Sequence, residues 1–460
     1  MIKGNYFTGK GWLYSMGRLF GTDGVRGIAN NGLLPELAFK LGRVAASIFS
    51  RKTGRTTIVL GKDTRISSDM LEAAIIAGIT CSGGDVLRVG IIPTPGVAYL
   101  TKELSADAGV MISASHNPVE YNGIKFFSSE GYKLPDGVED EIERLVMLEQ
   151  DNLPRPIGER IGSVKNITNA EELYCEHLKA TCPVDFRGLK VVVDCANGAA
   201  YKVAPKVLKN LGTELIVINH EPNGINVNLE CGSTYPNAIK SATIRYGADI
   251  GLSYDGDADR LIVVDEEGGI LNGDKILAVC GLDMAERGIL PGKAIVATAY
   301  SNLGLTKAFE DIGGQVLIAD NGDRYVLEMM REKGLILGGE QSGHIIFLDH
   351  TTTGDGVLTS LQLLSVVKRK KLPLSELASA MVEFPQILVN VPAEDKKGIL
   401  KKERVNFEIQ KAAEALQGRG RLHIRPSGTE PLIRIMGEGP NKEEVQEIVD
   451  KLVEAIKEES

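Results

Sequence analysis

The segment DGDADR carries three aspartates, Asp255, Asp257 and Asp259, at alternate positions directly after an apolar run. Three carboxylates in one small volume repel each other unless a hard divalent cation neutralises them. A polar turn and an EF-hand loop are the alternatives, and Glu266 stands at the twelfth position that an EF-hand needs. However, Arg260 occupies the position of its glycine, and LIVVD follows as a predicted strand. The pattern therefore predicts a metal site, with Mg²⁺ favoured because a phosphate oxygen can complete its coordination.

The segment SASHNP contains two serines, Ser113 and Ser115, before a turn-forming Asn-Pro pair. A serine in a turn usually caps a backbone group, but beside a metal loop a phosphoryl-carrying serine is the better hypothesis. The residue types alone leave the choice between the two serines open. An acyl-transfer site is disfavoured, because His116 is not expected to reach its neighbour's hydroxyl and no G-x-S-x-G motif is present.

Two further segments carry polar residues suited to a sugar phosphate. RPSGTEPLIR offers two guanidinium groups, two hydroxyls and glycine-permitted backbone N–H groups, which suit a phosphate dianion. GEQSGH mixes acceptors and donors that suit sugar hydroxyls. Two other segments, FGTDGVRG and NGIKFF, each add one cation near the end of a predicted strand. The alternatives are a turn with exposed arginines for RPSGTEPLIR, a satisfied polar loop for GEQSGH, and a solvated surface charge for each of the two cations. The candidate residues are Arg425, Ser427, Gly428, Thr429 and Arg434; Glu340, Ser342 and His344; and Arg26 and Lys125.

A repeated pattern of strands and helices positions these segments. Three short β-branched runs, separated by loops and helical patterns, recur three times, which predicts α/β units. The runs are 56–65, 83–90 and 109–118; 189–198, 212–219 and 249–260; and 293–302, 313–320 and 334–344. Predicted helices include 69–82, 203–211 and 303–312. The polar segments follow the third strand of each unit, where α/β folds bind ligands, so we expect them to share one cleft.

The pattern changes after residue 384, where two strand-like runs, a helical run at 406–416 and a charged amphipathic helix at 442–458 predict a small α+β domain. The predicted division is an N-terminal extension at 1–15, α/β domains at 16–166, 167–268 and 269–384, and the C-terminal domain at 385–460. The predicted fold class is α/β, with three similar domains and mixed sheets.

Composition excludes several classes of protein. A net charge of −9 argues against general nucleic-acid or anionic-membrane binding, and no apolar run approaches the length of a membrane span. The six cysteines form no C-x-x-C pair, and the first fifteen residues hold no apolar run of signal-peptide length. These features predict a cytoplasmic protein with reduced thiols.

FGTDGVRG, SASHNP, DGDADR, GEQSGH and RPSGTEP, in this order and spacing, resemble the phosphohexomutase family from about residue 16 to the C-terminus. The resemblance implies four domains around a central cleft, the last resembling the TATA-binding-protein fold. It implies that Ser115 is phosphorylated and that one Mg²⁺ is held by the three aspartates with a phosphoserine oxygen. It further implies three sets of residues: Glu340 and Ser342 reading sugar hydroxyls; Arg425, Ser427, Gly428, Thr429 and Arg434 holding the phosphate that is not transferring; and Arg26, His116, Lys125 and Arg260 lining the reaction centre, with Lys125 and His344 as candidate acid/base groups.

The resemblance implies a phosphosugar mutase that works through a bisphosphorylated sugar intermediate. It implies a monomer or a homodimer. GGEQSGH, PTPGVAYL and ISASHNP with NGIKFF are most similar to the bacterial branch that interconverts glucosamine 6-phosphate and glucosamine 1-phosphate. The alternatives are a phosphomannomutase or phosphoglucomutase of the same family, and a sugar-phosphate-binding protein without turnover. A metal-assisted phosphatase is disfavoured because the sequence lacks the His/Asp clusters of a two-zinc site.

Overall fold

The computed structural model describes residues 19–21, 24–49, 54–148, 152–427 and 431–460. The chain forms two compact units, one of residues up to 273 with 342–375 and the other of 274–341 with 376–460. The predicted extension at 1–15 lies outside the described residues. None of the helices in the described ranges combines the length and apolar character needed to cross a membrane.

A seven-stranded mixed sheet begins the first unit. Its elements are β1 (Phe20–Gly21), β2 (Gly24–Ile28), α1 (Pro35–Phe49), β3 (Thr57–Lys62), α2 (Ile66–Cys81), β4 (Asp85–Ile91), α3 (Thr94–Glu103), β5 (Ala108–Ile112), β6 (Tyr121–Ser128), α4 (Asp136–Val146) and β7 (Val164–Asn166). The strand order is β1-β2-β6-β5-β3-β4-β7. β3, β4 and β5 run parallel, whereas β6 returns antiparallel beside β5. The third predicted strand of the first repeat, β5, therefore leads into the SASHNP segment and a hairpin.

A five-stranded mixed sheet follows in the same unit. Its elements are α5 (Ala170–Ala180), β8 (Lys190–Asp194), α6 (Ala200–Asn210), β9 (Glu214–Ile218), α7 (Pro236–Tyr246), β10 (Ile250–Tyr254), β11 (Leu261–Asp265) and β12 (Ile270–Leu271). The order is β12-β11-β10-β8-β9, with β10 parallel to β8 and antiparallel to β11. All residues of β10 and β11 are buried, as expected for strands covered on both faces. The six residues between these strands are DGDADR.

The third repeat begins near the start of the second unit. The elements in this stretch are α8 (Gly273–Glu286), β13 (Ala294–Thr298), α9 (Leu303–Glu310), β14 (Gln315–Ala319), α10 (Asp323–Lys333), β15 (Leu337–Gly339), β16 (Ile345–Phe347), α11 (Gly356–Lys370) and α12 (Leu374–Ala378). β13 pairs in parallel with β14 and with β15. β16 and α11 belong to the first unit, where α11 packs against β10 and β11.

The C-terminal elements are β17 (Gln386–Pro392), α13 (Lys396–Ile399), α14 (Glu403–Leu416), β18 (Arg421–Pro426), β19 (Leu432–Glu438) and α15 (Lys442–Glu458). The three strands form an antiparallel sheet of order β17-β19-β18, and α14 and α15 pack on it. The Asn441 side chain caps α15 by accepting a hydrogen bond from the Glu444 N–H. The predicted α/β fold with mixed sheets and a smaller α+β domain is confirmed, while the exact domain boundaries stay predictions.

The helices predicted at 69–82, 203–211 and 303–312 are confirmed as α2, α6 and α9. α1 and α2 pack closely enough that each needs a glycine at the contact. A Cβ on Gly42 would lie 2.5 Å from the Ile75 carbonyl oxygen, and one on Gly78 would lie 2.1 Å from the Phe39 oxygen. Both distances are below van der Waals contact with backbone atoms, so a side chain there would push the helices apart.

We therefore expect Gly78→Ala to lower the free energy of unfolding by about 1–3 kcal/mol, the usual cost of overpacking a core. Gly137→Ala is the control, because a Cβ on this helical glycine of α4 would meet nothing within 4 Å. Urea denaturation of both variants measures the difference. Equal unfolding free energies for Gly78→Ala and wild type would contradict the packing argument.

Candidate active site

The segment DGDADR forms the turn between β10 and β11 and buries its three aspartates. Asp255 and Asp257 are 0% exposed and Asp259 is 4% exposed, and one ligand oxygen from each lies within 4.8 Å of the others. A Cβ on Gly256 would lie 2.5 Å from the Ser115 carbonyl oxygen. Glycine therefore lets the loop of Ser115 approach the aspartates directly, as the repeat pattern predicts for the first two repeats.

The aspartate oxygens that accept no hydrogen bond could bind a divalent cation. Oδ2 of Asp257 accepts hydrogen bonds from the Lys125 ammonium at 2.8 Å and from the Thr94 hydroxyl at 2.5 Å. Oδ1 of Asp257 and Oδ1 of Asp259 are buried and accept no hydrogen bond from any residue that the structure describes. Buried carboxylate oxygens without donors are costly unless an ion binds them. An all-oxygen donor set is the one that Mg²⁺ or Ca²⁺ prefers.

The pKa values of two aspartates reflect this crowding. Burial and repulsion from Asp259 and Asp257 raise the pKa of Asp255 well above its usual value. Burial alone would also raise the pKa of Asp259, but the neighbouring Lys125, His344 and Arg260 lower it below its usual value. A divalent cation bound at this cluster would favour the ionised form of the carboxylates that hold it.

Ser115 presents its hydroxyl to the aspartates, whereas Ser113 does not. Ser115 has a left-handed φ of 53°, and its Oγ donates to Oδ2 of Asp255 at 2.5 Å. The hydroxyl of Ser113 donates to Asp63 at 2.6 Å and accepts the N–H of Ser115 at 2.9 Å. Ser113 thus supports the loop, and the geometry favours Ser115 as the reactive serine, a choice that the residue types left open.

Arg65 holds the serine loop and was missed in the sequence analysis. Its side chain is 0% exposed, and its Nε–H donates to Asp63 at 2.9 Å. Its remaining N–H groups donate to four carbonyl oxygens of the loop, those of Ser115, Asn117, Pro118 and Tyr121. Asn228 adds hydrogen bonds to two of the same oxygens. A polar DTR segment directly after β3 was the available signal, because it follows a strand end as the other candidate segments do.

The expectation that His116 cannot reach its neighbour's hydroxyl is wrong. Nδ1 of His116 lies 3.2 Å from Oγ of Ser115, because the left-handed backbone turns the two side chains toward each other. Burial, followed by the charges of Arg260 and Arg26, lowers the pKa of His116 to about 4. The imidazole is therefore neutral near pH 7 and a weak base, so the contact does not revive an acyl-transfer site. Arg26 itself donates to Asn117 at 2.9 Å.

The GEQSGH segment contributes to both units. Glu340 directly follows β15 in the second unit, whereas Ser342 and His344 belong to the first unit. Nε2 of His344 accepts the Gly354 N–H at 2.9 Å, so its Nδ1 carries the proton in the neutral ring and lies 3.7 Å from Asp259. The structure thus brings His344 to the aspartates together with Lys125.

The predicted phosphate segment lies on β18 and β19 of the second unit. Arg425 and Arg434 are directly opposite each other in this antiparallel pair, an arrangement that is unfavourable for like charges without an anion. The Arg425 guanidinium stacks on Tyr300 and donates to its hydroxyl at 3.0 Å, and Lys396 donates to the Ser427 carbonyl oxygen at 2.6 Å. The predicted residues Gly428 and Thr429 lie outside the described residues.

Family profiles match four consecutive segments of the chain. The profiles described as phosphoglucomutase/phosphomannomutase alpha/beta/alpha domains I, II and III match residues 17–152, 172–269 and 272–384. The profile of the C-terminal domain of the same family matches residues 388–455. Together the four matches cover most of the chain.

Two relatives that match the chain over nearly their whole length are both named phosphoglucosamine mutase. A phosphoglucosamine mutase of Heliobacterium modesticaldum is 54% identical, covering 96% of this chain and 100% of that protein. One of Moorella thermoacetica is 55% identical, covering 94% and 98%. The crystal structure of a phosphoglucomutase/phosphomannomutase family protein from Burkholderia thailandensis has a TM-score of 0.82 at 24% identity, covering 96% of this chain and 97% of that one, which shows a shared fold.

We expect the protein, freed of metal with EDTA, to bind Mg²⁺ in isothermal titration calorimetry, and Asp257→Asn to weaken the affinity at least about tenfold, or 1.4 kcal/mol. Asp265→Asn is the control, because Asp265 lies at the end of β11 and accepts hydrogen bonds only from nearby turn N–H groups in the described structure. An unchanged affinity in Asp257→Asn would refute a cation site at the aspartates.

Proposed function

The chain belongs to the phosphoglucomutase/phosphomannomutase family, the phosphohexomutases, and we propose that it interconverts glucosamine 6-phosphate and glucosamine 1-phosphate through a phosphorylated Ser115. The observation that carries the phosphoserine is the Ser115 hydroxyl 2.5 Å from Asp255 in a buried cluster of three aspartates. The choice of glucosamine as the sugar rests on relatives named phosphoglucosamine mutase, which are 54–55% identical over nearly the whole chain.

The reaction runs in two balanced transfers. In the first, the bond between phosphorus and Ser115 Oγ breaks, and phosphorus bonds to the free hydroxyl oxygen of the bound sugar phosphate. The proton of that hydroxyl passes to a base, and Oγ takes up a proton. The bisphosphorylated sugar then turns around. In the second transfer the bond between its other phosphorus and the sugar oxygen breaks, and phosphorus bonds to Ser115 Oγ. The serine proton passes to a base, and the sugar oxygen takes up a proton. Asp255, Asp257 and Asp259 would hold Mg²⁺, which would offset negative charge on the oxygens around the transferring phosphorus.

The residues around Ser115 position the serine oxygen and hold protons. Arg65 and Asn228 fix the carbonyl oxygens of the loop, which keeps Oγ directed at Asp255. Lys125 and His344 are the proposed acid/base groups, since both lie beside Asp259 in the aspartate cluster to which the Ser115 hydroxyl donates. Because Nε2 of His344 accepts a backbone N–H, only its Nδ1 is oriented for such a role.

The remaining residues would bind the parts of the substrate that do not react. Arg425, Arg434 and Ser427 would hold the distant phosphate, supported by the facing pair of guanidinium groups on β18 and β19. Glu340 and Ser342 would recognise sugar hydroxyls. The same site would hold the distant phosphate in both orientations of the intermediate. It would thereby position the sugar for each phosphoryl transfer.

We also propose a cytoplasmic location, supported by six cysteines that are all free thiols in the described structure. Burial raises the pKa of the Cys175 thiol to about 11, that of Cys231 to about 12, and those of Cys182 and Cys195 as well. Such thiols are unreactive, which agrees with a structural role. A monomer or homodimer stays the prediction for the assembly.

Ser115→Ala should abolish both turnover and phosphorylation, because no other hydroxyl in the described structure points at Asp255. Ser113→Ala should remain phosphorylated on Ser115 while losing about 1–3 kcal/mol of stability, since Asp63 and the Ser115 N–H each lose a partner. Mass spectrometry after incubation with a bisphosphorylated hexose locates the phosphate. Phosphate on Ser113, or near-normal turnover by Ser115→Ala, would overturn the assignment.

The substrate assignment predicts a higher kcat/KM for glucosamine 6-phosphate than for mannose 6-phosphate or glucose 6-phosphate. Each of the three substrates is assayed with Mg²⁺ and with enough bisphosphorylated hexose to keep the enzyme phosphorylated. A preference for either neutral sugar would assign the chain to the phosphomannomutase or phosphoglucomutase activity of the family. Binding of all three without turnover would indicate a non-catalytic protein.

A further inference from the structure

Thr94 connects the first helix beyond β4 to the aspartate turn, although 163 residues separate it from Asp257 in sequence. It is 1% exposed and begins α3 directly after Pro93. Its hydroxyl donates to Oδ2 of Asp257 at 2.5 Å, and its backbone N–H donates to the Asp257 carbonyl oxygen at 3.0 Å. Asp257 is thus held at both its side chain and its main chain by one residue.

These hydrogen bonds determine which carboxylate oxygen of Asp257 can meet a cation. Oδ2 already accepts from Thr94 and from the Lys125 ammonium at 2.8 Å. Oδ1 is buried and accepts no hydrogen bond from the part of the chain that the structure describes. The ammonium group of a lysine offers three equivalent donors, whereas a threonine at the start of a helix has one hydroxyl donor on one stiff side-chain torsion. Thr94 therefore contributes the directional part of this arrangement.

A second threonine in the same helix shows the ordinary arrangement. Thr101 is 0% exposed, and its hydroxyl donates to the Val97 carbonyl oxygen four residues earlier at 2.8 Å. A buried threonine inside a helix usually satisfies its hydroxyl in this local way. Thr94 stands at the N-terminus of α3, where no preceding turn of the helix offers a carbonyl oxygen. Its hydroxyl instead donates to Asp257, one of the three aspartates of the proposed cation site.

We propose that Thr94 is a positioning residue for the divalent cation, which it serves by orienting Oδ1 of Asp257 toward the ion. The inference rests on the proposed metal site at the three aspartates. Thr94 itself would contact neither the ion nor the substrate. Removing a group that orients a metal ligand typically costs about 10–100-fold in metal affinity or activity.

The test compares Thr94→Val, which keeps the shape and the backbone N–H but removes the hydroxyl, with Thr94→Ser, which restores the hydroxyl. Thr101→Val is the matched control, since it removes a buried hydroxyl from the same helix without touching an aspartate. Each full-length variant is freed of metal and titrated with Mg²⁺ by calorimetry. Urea unfolding of the metal-free proteins measures stability separately.

Thr94→Val should raise the Mg²⁺ dissociation constant about 10–100-fold, with Thr94→Ser close to wild type and Thr101→Val unchanged in Mg²⁺ affinity. In turnover assays the Mg²⁺ concentration for half-maximal rate should rise in parallel, while the KM for the sugar phosphate at saturating Mg²⁺ stays the same. A structural role alone would lower the unfolding free energy without moving these Mg²⁺ values.

An unchanged Mg²⁺ affinity in Thr94→Val, measured where Asp257→Asn loses binding, would overturn the role of Thr94 and leave the metal site intact. An equal loss of affinity in Thr101→Val would also overturn it, because the effect would then come from the helix as a whole. Wild-type protein that binds no Mg²⁺ would overturn the metal site and the inference together.

Discussion

Three carboxylates with ligand oxygens within 4.8 Å of one another, nearly without exposure to solvent, impose the main electrostatic constraint on this protein. Like charges at such distances in a buried setting are tolerated only with compensation. Lys125 at Asp257 provides part of it, and Arg260 and His344 beside Asp259 provide more. Two carboxylate oxygens still lack donors among the described residues. These oxygens suit a divalent cation.

The serine loop is built to meet this cluster. Ser115 adopts a left-handed conformation that few residues take without support, and that conformation brings its hydroxyl to Asp255. The support comes from Arg65, whose guanidinium donates to four loop carbonyl oxygens and to Asp63 from a fully buried position. A charged side chain with all its donors used is costly to bury but precise in geometry. Precision matters here, because phosphoryl transfer depends chiefly on positioning and charge.

Much of this arrangement was predictable from the sequence, because the chemistry follows strand ends. The DGDADR and SASHNP segments were expected after third strands, and both occupy hairpin turns after β10 and β5. Sequence reasoning could not choose between Ser113 and Ser115, and it was wrong about the reach of His116, because both depend on one backbone torsion. Arg65 and Thr94 were missed because their contacts join distant segments. Domain boundaries and individual roles in catalysis stay predictions.

We propose that phosphorylated Ser115 and the three aspartates share one cation. Mn²⁺ is a spectroscopic substitute for Mg²⁺, and ³¹P ENDOR of the Mn²⁺-loaded, phosphorylated protein detects phosphorus bonded through one oxygen to the metal. We expect a ³¹P hyperfine coupling typical of a directly coordinated phosphate, absent from Ser115→Ala and from dephosphorylated protein. Full phosphorylation of Ser115 with bound Mn²⁺ but without this coupling would show that the phosphoserine and the aspartates do not share a cation.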